Sequence, residues 1–414
     1  MSQPRAVTVI GAGIVGICCA SYLQRDGHAV TVIDSRPPGE GCSQGNAGHI
    51  SPGACVPLAM PGILWQVPRW LIDPLGPLCI RWGYLPRVAP WLLRFAKAAT
   101  PEQAEATSIA LRALHATTFE AYDPLIKSAG AEDLISRSGP LYLFESQQTF
   151  AHDRAGWALR RARGVKMEEL DAVAIRQLEP ALAPIYQRAI FLPDQGFCHN
   201  PLRLVQALAK QFTREGGRLL RRTVTGFEIG PEGPRRLHTD AGDIEVQDVV
   251  ICAGAWSHRL TAHLGDRVPL ESERRYHLEL PSPGVTLSRS VVSVDRKFVA
   301  TPMETGLRFT GTVEFAGLSA PPDPRRARIL LDEGRRMFPG LKAKGASEWM
   351  GHRPSLPDSK PVIDRSPRFP SVYYAFGHGH TGMTGASVTG RLIAALVAGR
   401  PPEIDLSPFR VTRF

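Results

Sequence analysis

The stretch that decides the fold is Ala6-Val-Thr-Val-Ile-Gly-Ala-Gly-Ile-Val-Gly16, followed by an acid, Asp34, 18 residues beyond Gly16. Residues 6–10 are a short β-branched run suited to a buried parallel strand. The glycines of Gly11-x-Gly13-x-x-Gly16 have separate tasks. The first permits a tight turn, the second lets a pyrophosphate approach the backbone, and the third lets the next helix pack closely on the strand. That helix opens at Ile14 and Val15 and is expected to end near Gly27. Its N-terminus offers unpaired N–H groups and partial positive charge to phosphates. A second strand over residues 29–33 delivers Asp34 and Ser35, and the carboxylate there can accept hydrogen bonds from a ribose diol. The pattern is a β-α-β dinucleotide site, and Asp34 disfavours a 2′-phosphate.

Two later segments choose between NAD and FAD. Asp248-Val-Val-Ile-Cys-Ala-Gly-Ala-Trp-Ser257 is a buried strand whose small residues Ala253 and Gly254, beside Trp256, let backbone meet a cofactor. Gly377-His-Gly379-His380-Thr381-Gly382-Met383-Thr384 is a glycine-rich turn opening the last helix. A helix N-terminus there would stabilise negative charge on a reduced flavin. Val224, in an extended run from Arg222 to Ile229, is a further expected contact. With no second nucleotide domain after the first, the flavin would be reduced directly by substrate, so FAD is the expected cofactor.

The rest of the chain sets bounds. With 414 residues, two interlocked domains are expected. Helices are expected near 102–129, 201–215, 324–337 and 384–397, and strands near 141–144, 189–192, 219–220, 361–364 and 372–376, with several more between 268 and 315. Hydrophobic residues at 43% and charged residues at 21% are ordinary for a soluble globular protein. The net charge is +10 with only eight lysines; no basic run or nucleic-acid motif appears, so no nucleic-acid partner is expected. The seven cysteines are dispersed without C-x-x-C pairs. Neither a disulfide framework nor a metal or iron–sulfur site is expected, and a reducing cytoplasmic compartment fits. No signal peptide and no transmembrane span is read.

Residues 54–96 concentrate Trp65, Trp70, Trp82 and Trp91 with Arg69, Arg81, Arg87 and Arg94. Such a mixture suits peripheral contact with an anionic membrane surface, and equally a substrate lid or a subunit interface.

Together these residues resemble the D-amino acid dehydrogenases, in the group that holds glycine oxidase, sarcosine oxidase and D-amino acid oxidase. The resemblance spans residues 6 to about 400 and rests on five places. They are VIGAGIVG with Asp34, the loop Ser43-Gln-Gly-Asn46-Ala47-Gly48-His49-Ile50-Ser-Pro52, VVICAGAWS, Gly351-His-Arg353-Pro354 with Asp358 and Pro361, and GHGHTGMT. It implies an α/β architecture: a Rossmann-type parallel sheet binding FAD, built from discontinuous segments (1–90, 197–265 and 355–414). Beside it stands an α+β substrate domain with a largely antiparallel sheet (91–196 and 266–354). It implies that Arg353 grips the substrate carboxylate, that Tyr276 is a substrate-side tyrosine, and that Ser43 to Ile50 run beside the flavin ring. His380, with His378, would bond flavin or substrate or accept the amine proton.

The activity implied is FAD-dependent dehydrogenation of a small or cyclic D-amino acid, by hydride transfer from Cα to flavin N5. Electrons would pass to quinone or another non-oxygen acceptor, which goes with peripheral contact at the inner face of the plasma membrane. Glu273-Arg-Arg-Tyr276-His and the paired histidines resemble members acting on hydroxylated D-proline. An oxygen-using amine oxidase of glycine or sarcosine type, and a flavoprotein subunit of a hetero-oligomer, remain as alternatives.

Overall fold

The computed structural model describes residues 3–66, 72–73 and 75–414, without the side chains of Leu64 and Gln66. Arg69 and Trp70 lie outside the described residues.

The β-branched N-terminal run forms the strand Ala6–Ile10 at the centre of a six-stranded sheet. It pairs in parallel with Ala29–Asp34 on one side and Asp248–Ile251 on the other. Arg218–Arg221 and Val372–Phe376 extend the parallel array, and Val362–Arg365 closes it antiparallel. Segments from both ends and the middle of the chain therefore share one sheet. On one face the helices Ile14–Arg25 and Gly382–Val397 bury Ile17, Leu23, Leu392 and Ile393 in a common core.

The second layer is a nine-stranded, mostly antiparallel sheet. Its edge strand Ser347–Ser355 pairs with Glu271–Leu280, which pairs with Gly306–Phe315. The helix Arg325–Met337 covers one face, with Leu330 and Met337 in a core that includes Leu278, Leu280 and Phe309. Fold class and discontinuous parallel sheet are thus as read from the sequence.

Three details differ from that reading. The helix expected over 102–129 is two helices, Pro101–His115 and Thr118–Ala129. At the break the Thr118 hydroxyl donates to the His115 carbonyl (2.7 Å) and to the Thr384 carbonyl (3.1 Å). Both helices pack on the first core through Leu114, Tyr122 and Leu125. Conversely, Leu78–Ile80 adds a strand to the second sheet. We propose a domain division that follows these contacts, with 101–129 on the flavin side and 78–80 on the substrate side. Last, the tryptophan-rich segment is not one surface. Trp91 is buried against Phe95 and Phe315, and its Nε1 donates to the Ser355 carbonyl (3.3 Å). Trp65 and Trp82 are exposed. Among the described residues no helix is long and apolar enough to cross a membrane, and all seven cysteines are free thiols.

Candidate active site

The opening turn is fixed by backbone geometry. Gly11 has φ +117°, and a Cβ there would stand 2.3 Å from the Cys252 carbonyl oxygen, so only glycine fits. Asp34 Oδ2 accepts the Ala12 N–H (2.7 Å) and its Oδ1 accepts the Arg36 N–H (2.9 Å). The Ser43 hydroxyl accepts the Ile14 N–H at the helix start (3.0 Å). A cavity of about 610 Å³ lies over this turn. Gly11, Gly13, Ile14, Val15, Asp34, Ser35, Ser43 and Asn46 line its near side. Val224, Ala253, Gly254, Trp256, Gly379, Gly382 and Met383 line the rest.

The size is that of a small-molecule site, and the composition suits FAD: a backbone cradle at one end and the start of a long helix at the other. The strand Val372–Phe376 followed by Gly377, Gly379 and Gly382 repeats the glycine spacing of the opening turn, a signal the sequence reading passed over. The reading also passed over Arg36, Arg222, Thr223, His263 and His352, which line the same cavity.

The remaining loop residues act as supports. Gly48 has φ +78°, a Cβ there would meet the Cys198 carbonyl at 2.4 Å, and its N–H donates to Asn46 Oδ1 (2.8 Å). Ala47 lies between these two. The short strand His49–Ile50 pairs with Gly196–Cys198, and Ile50 is core. Thr384 Oγ1 accepts the Ser51 N–H (3.1 Å) and donates to the His49 carbonyl (3.3 Å), which ties the loop to the last helix. Thr381 Oγ1 donates to the His378 carbonyl (2.9 Å) inside the closing turn. Gly16 lies beneath Gly11, where a Cβ would meet the Gly11 oxygen.

Arg353 leaves the edge strand directly opposite Glu273, and its Nη1 is 3.1 Å from Glu273 Oε2. The other oxygen, Oε1, accepts the Ser355 hydroxyl (2.8 Å). Glu273 is buried, so this pair fixes the guanidinium in place. His380 is exposed at its surface, yet desolvation is the first cause of its lowered pKa, followed by Arg353, Arg275, His115 and Arg160. Its pKa is pushed down to about 3. His49, whose Nε2 contacts the Ser290 hydroxyl, is pushed to about 4 by burial and then by Arg275. Both rings are neutral at pH 7, and imidazoles so weakly basic are hydrogen-bond partners rather than acceptors of an amine proton. His378 is buried against Thr389 Oγ1 (2.9 Å) and held near 3 mainly by burial. It is buried and lines the cavity.

Tyr276 requires a correction. Side chains alternate along Glu271–Leu280, so Glu273, Arg275 and His277 share the face of Arg353 and Tyr276 takes the other. Its hydroxyl donates to Glu314 Oε2 (2.7 Å) and accepts the Asp323 N–H (3.0 Å), in a buried cluster with Arg274. It is not beside Arg353.

Sheet order, opening turn and cavity define a flavin-dependent oxidoreductase fold. Residues 6–396 match the family described as DAO, FAD dependent oxidoreductase, and the chain belongs to that family. FAD is its cofactor. A protein from Bradyrhizobium diazoefficiens named D-amino-acid oxidase is 42% identical over 421 residues, covering 100% of both chains. One from Ralstonia nicotianae named D-amino acid dehydrogenase 2 is 33% identical, covering 98% of this chain and 100% of that relative. The crystal structure of L-proline dehydrogenase from P. horikoshii shares the fold with a TM-score of 0.75 at 19% identity, over 100% of this chain and 98% of that one.

Proposed function

We propose that the protein oxidises a small or cyclic D-amino acid at the bond between Cα and nitrogen. The observation that carries this is a guanidinium, Arg353, fixed by buried Glu273 and acting electrostatically on His380. A guanidinium binds a carboxylate through parallel hydrogen bonds, which fixes one end of an amino acid. Bound FAD supplies the two-electron acceptor for the Cα–H. The chain's own work is to orient the substrate, exclude water and present uncharged imidazoles where the amine must be neutral. Relatives named for D-amino acids at 42% and 33% identity support the stereochemistry. The test is anaerobic bleaching of the FAD-loaded protein by a panel of D- and L-amino acids, including D-proline and its hydroxylated forms. Bleaching by D-amino acids is expected; preference for L-amino acids, or none at all, overturns the reading.

The proposed electron acceptor is a quinone or another non-oxygen species. A second reading, direct use of oxygen, is favoured by the 42% identical relative named an oxidase. Peroxide yield compared with reduction of a quinone-like dye separates them. Exposed Trp65, Ile72, Trp82 and Leu93 support the peripheral membrane contact. Equal flotation with liposomes of the wild type and a Trp65→Ala, Trp82→Ala protein would remove it.

A further inference from the structure

Arg275 stands where the sequence reading placed no function. It points from the same face of Glu271–Leu280 as Glu273 and His277. Those two neighbours fix its surroundings: Glu273 holds Arg353, and His277 Nδ1 meets the Gly45 carbonyl of the flavin-side loop (3.3 Å). Arg275 must therefore project between Arg353 and that loop. Its Nε is buried without a hydrogen-bond partner. Its guanidinium makes no hydrogen bond or ion pair among the described residues, while the side chain keeps partial accessibility. The neighbouring carboxylate, Glu273, already bonds Arg353 and Ser355. A half-buried cation without a salt-bridge partner is costly unless something supplies the missing negative charge.

We propose that Arg275 and Arg353 grip the substrate carboxylate as a pair, with Arg275 carrying the charge that Glu273 leaves unbalanced. The assignment rests on the amino acid reading above and deepens it. With Arg353 neutralised by Glu273, the two arginines and one glutamate leave a single net positive charge. One carboxylate matches it, and a protonated amine beside it is repelled. The same pair that binds the substrate thus favours the neutral amine from which hydride can leave. The field of Arg275 on its surroundings agrees, since it helps to hold His49 uncharged.

The experiment titrates FAD-loaded protein with benzoate, a carboxylate without an amine, and follows the flavin absorbance. Losing one partner of a buried charge pair costs about 2–5 kcal/mol, so Arg275→Gln is expected to weaken benzoate binding about 30- to several-thousand-fold. Arg275→Lys should restore part of it. The acidic limb of kcat, which reports the bound complex, should also move to higher pH in Arg275→Gln, because the bound amine keeps its proton longer. Benzoate affinity within about threefold of wild type in Arg275→Gln overturns the assignment. If that variant does not retain FAD, Arg275→Lys decides by the same titration: weakened binding with intact flavin supports the grip, and wild-type affinity overturns it. Benzoate binding is read without turnover. A wild type that binds benzoate through Arg275 but is bleached by no amino acid would sink the proposed reaction and leave the carboxylate grip standing.

Discussion

The two ends of the active-site region are built on different principles. At the dinucleotide end the working parts are backbone: Gly11, Gly13, Ala12 N–H and the start of a helix, all within one short stretch of chain. At the proposed substrate end they are side chains on neighbouring strands, with Glu273 and Arg353 far apart in sequence and opposed only by strand register. A backbone site tolerates almost no change because its geometry has no slack. A side-chain site can be retuned residue by residue. The difference teaches where cofactor and substrate specificity reside in this fold, and it can be tested from either end.

The largest effect is expected at Gly11. Gly11→Ala places a methyl group 2.3 Å from the Cys252 oxygen in a backbone conformation that L-residues rarely adopt. The purified variant should be colourless and fail to take up FAD. A yellow, stoichiometrically loaded Gly11→Ala protein would break the comparison. Next comes Arg353. Arg353→Gln should keep the flavin spectrum yet lose about 30- to several-thousand-fold in kcat/KM. Glu273→Gln should show a smaller loss, mostly in KM, since it frees the guanidinium without removing it. Steady-state kinetics on the best D-amino acid checks both, and equal losses in the two variants would mean that Glu273 does more than position Arg353.

The same contrast decides what was legible in the sequence. The opening turn could be read because each glycine's task is local and the strand, turn, helix and acid follow in order. The loop 43–50 and the closing turn were legible as glycine-rich segments. Glu273 and Arg275 were not, because strand pairing across many residues creates their roles. Tyr276 was misplaced although the alternation of side chains holds the answer. If Arg353 pairs with Glu273, residue 276 is on the wrong face. Trp91 was grouped with its exposed neighbours, while the spacing Val88, Trp91, Phe95 marks one buried helix face.

Protonation offers a third, intermediate effect. His378 has an ordinary pKa of 6.5 when unfolded and about 3 in the fold, where burial keeps it neutral. Between those values the unfolded chain binds the extra proton, so stability falls as pH drops through that window and is fully present above it. His115, held near 4 by burial, acts in the same direction. The melting temperature should decline from pH 7 to pH 4.5. In His378→Asn that decline should be shallower, although the variant starts from a lower melting temperature at pH 7. An identical slope in both proteins would exclude His378 as a source of acid sensitivity.

The smallest catalytic effect is expected at Tyr276, and it sharpens the comparison most. Tyr276→Phe removes one donor from Glu314 and the acceptor of the Asp323 N–H. Glu314 keeps Arg81 at 2.6 Å and Arg274 at 3.2 Å, so the buried carboxylate stays paired. Leaving such groups short of a hydrogen bond costs about 1–3 kcal/mol of stability. If the substrate binds on the face of Arg353, as proposed, kcat, KM and benzoate affinity should be unchanged. A raised KM in Tyr276→Phe with an unchanged melting temperature would mean that the hydroxyl reaches substrate. The assignment of faces, and with it the pairing of Arg275 with Arg353, would then be wrong.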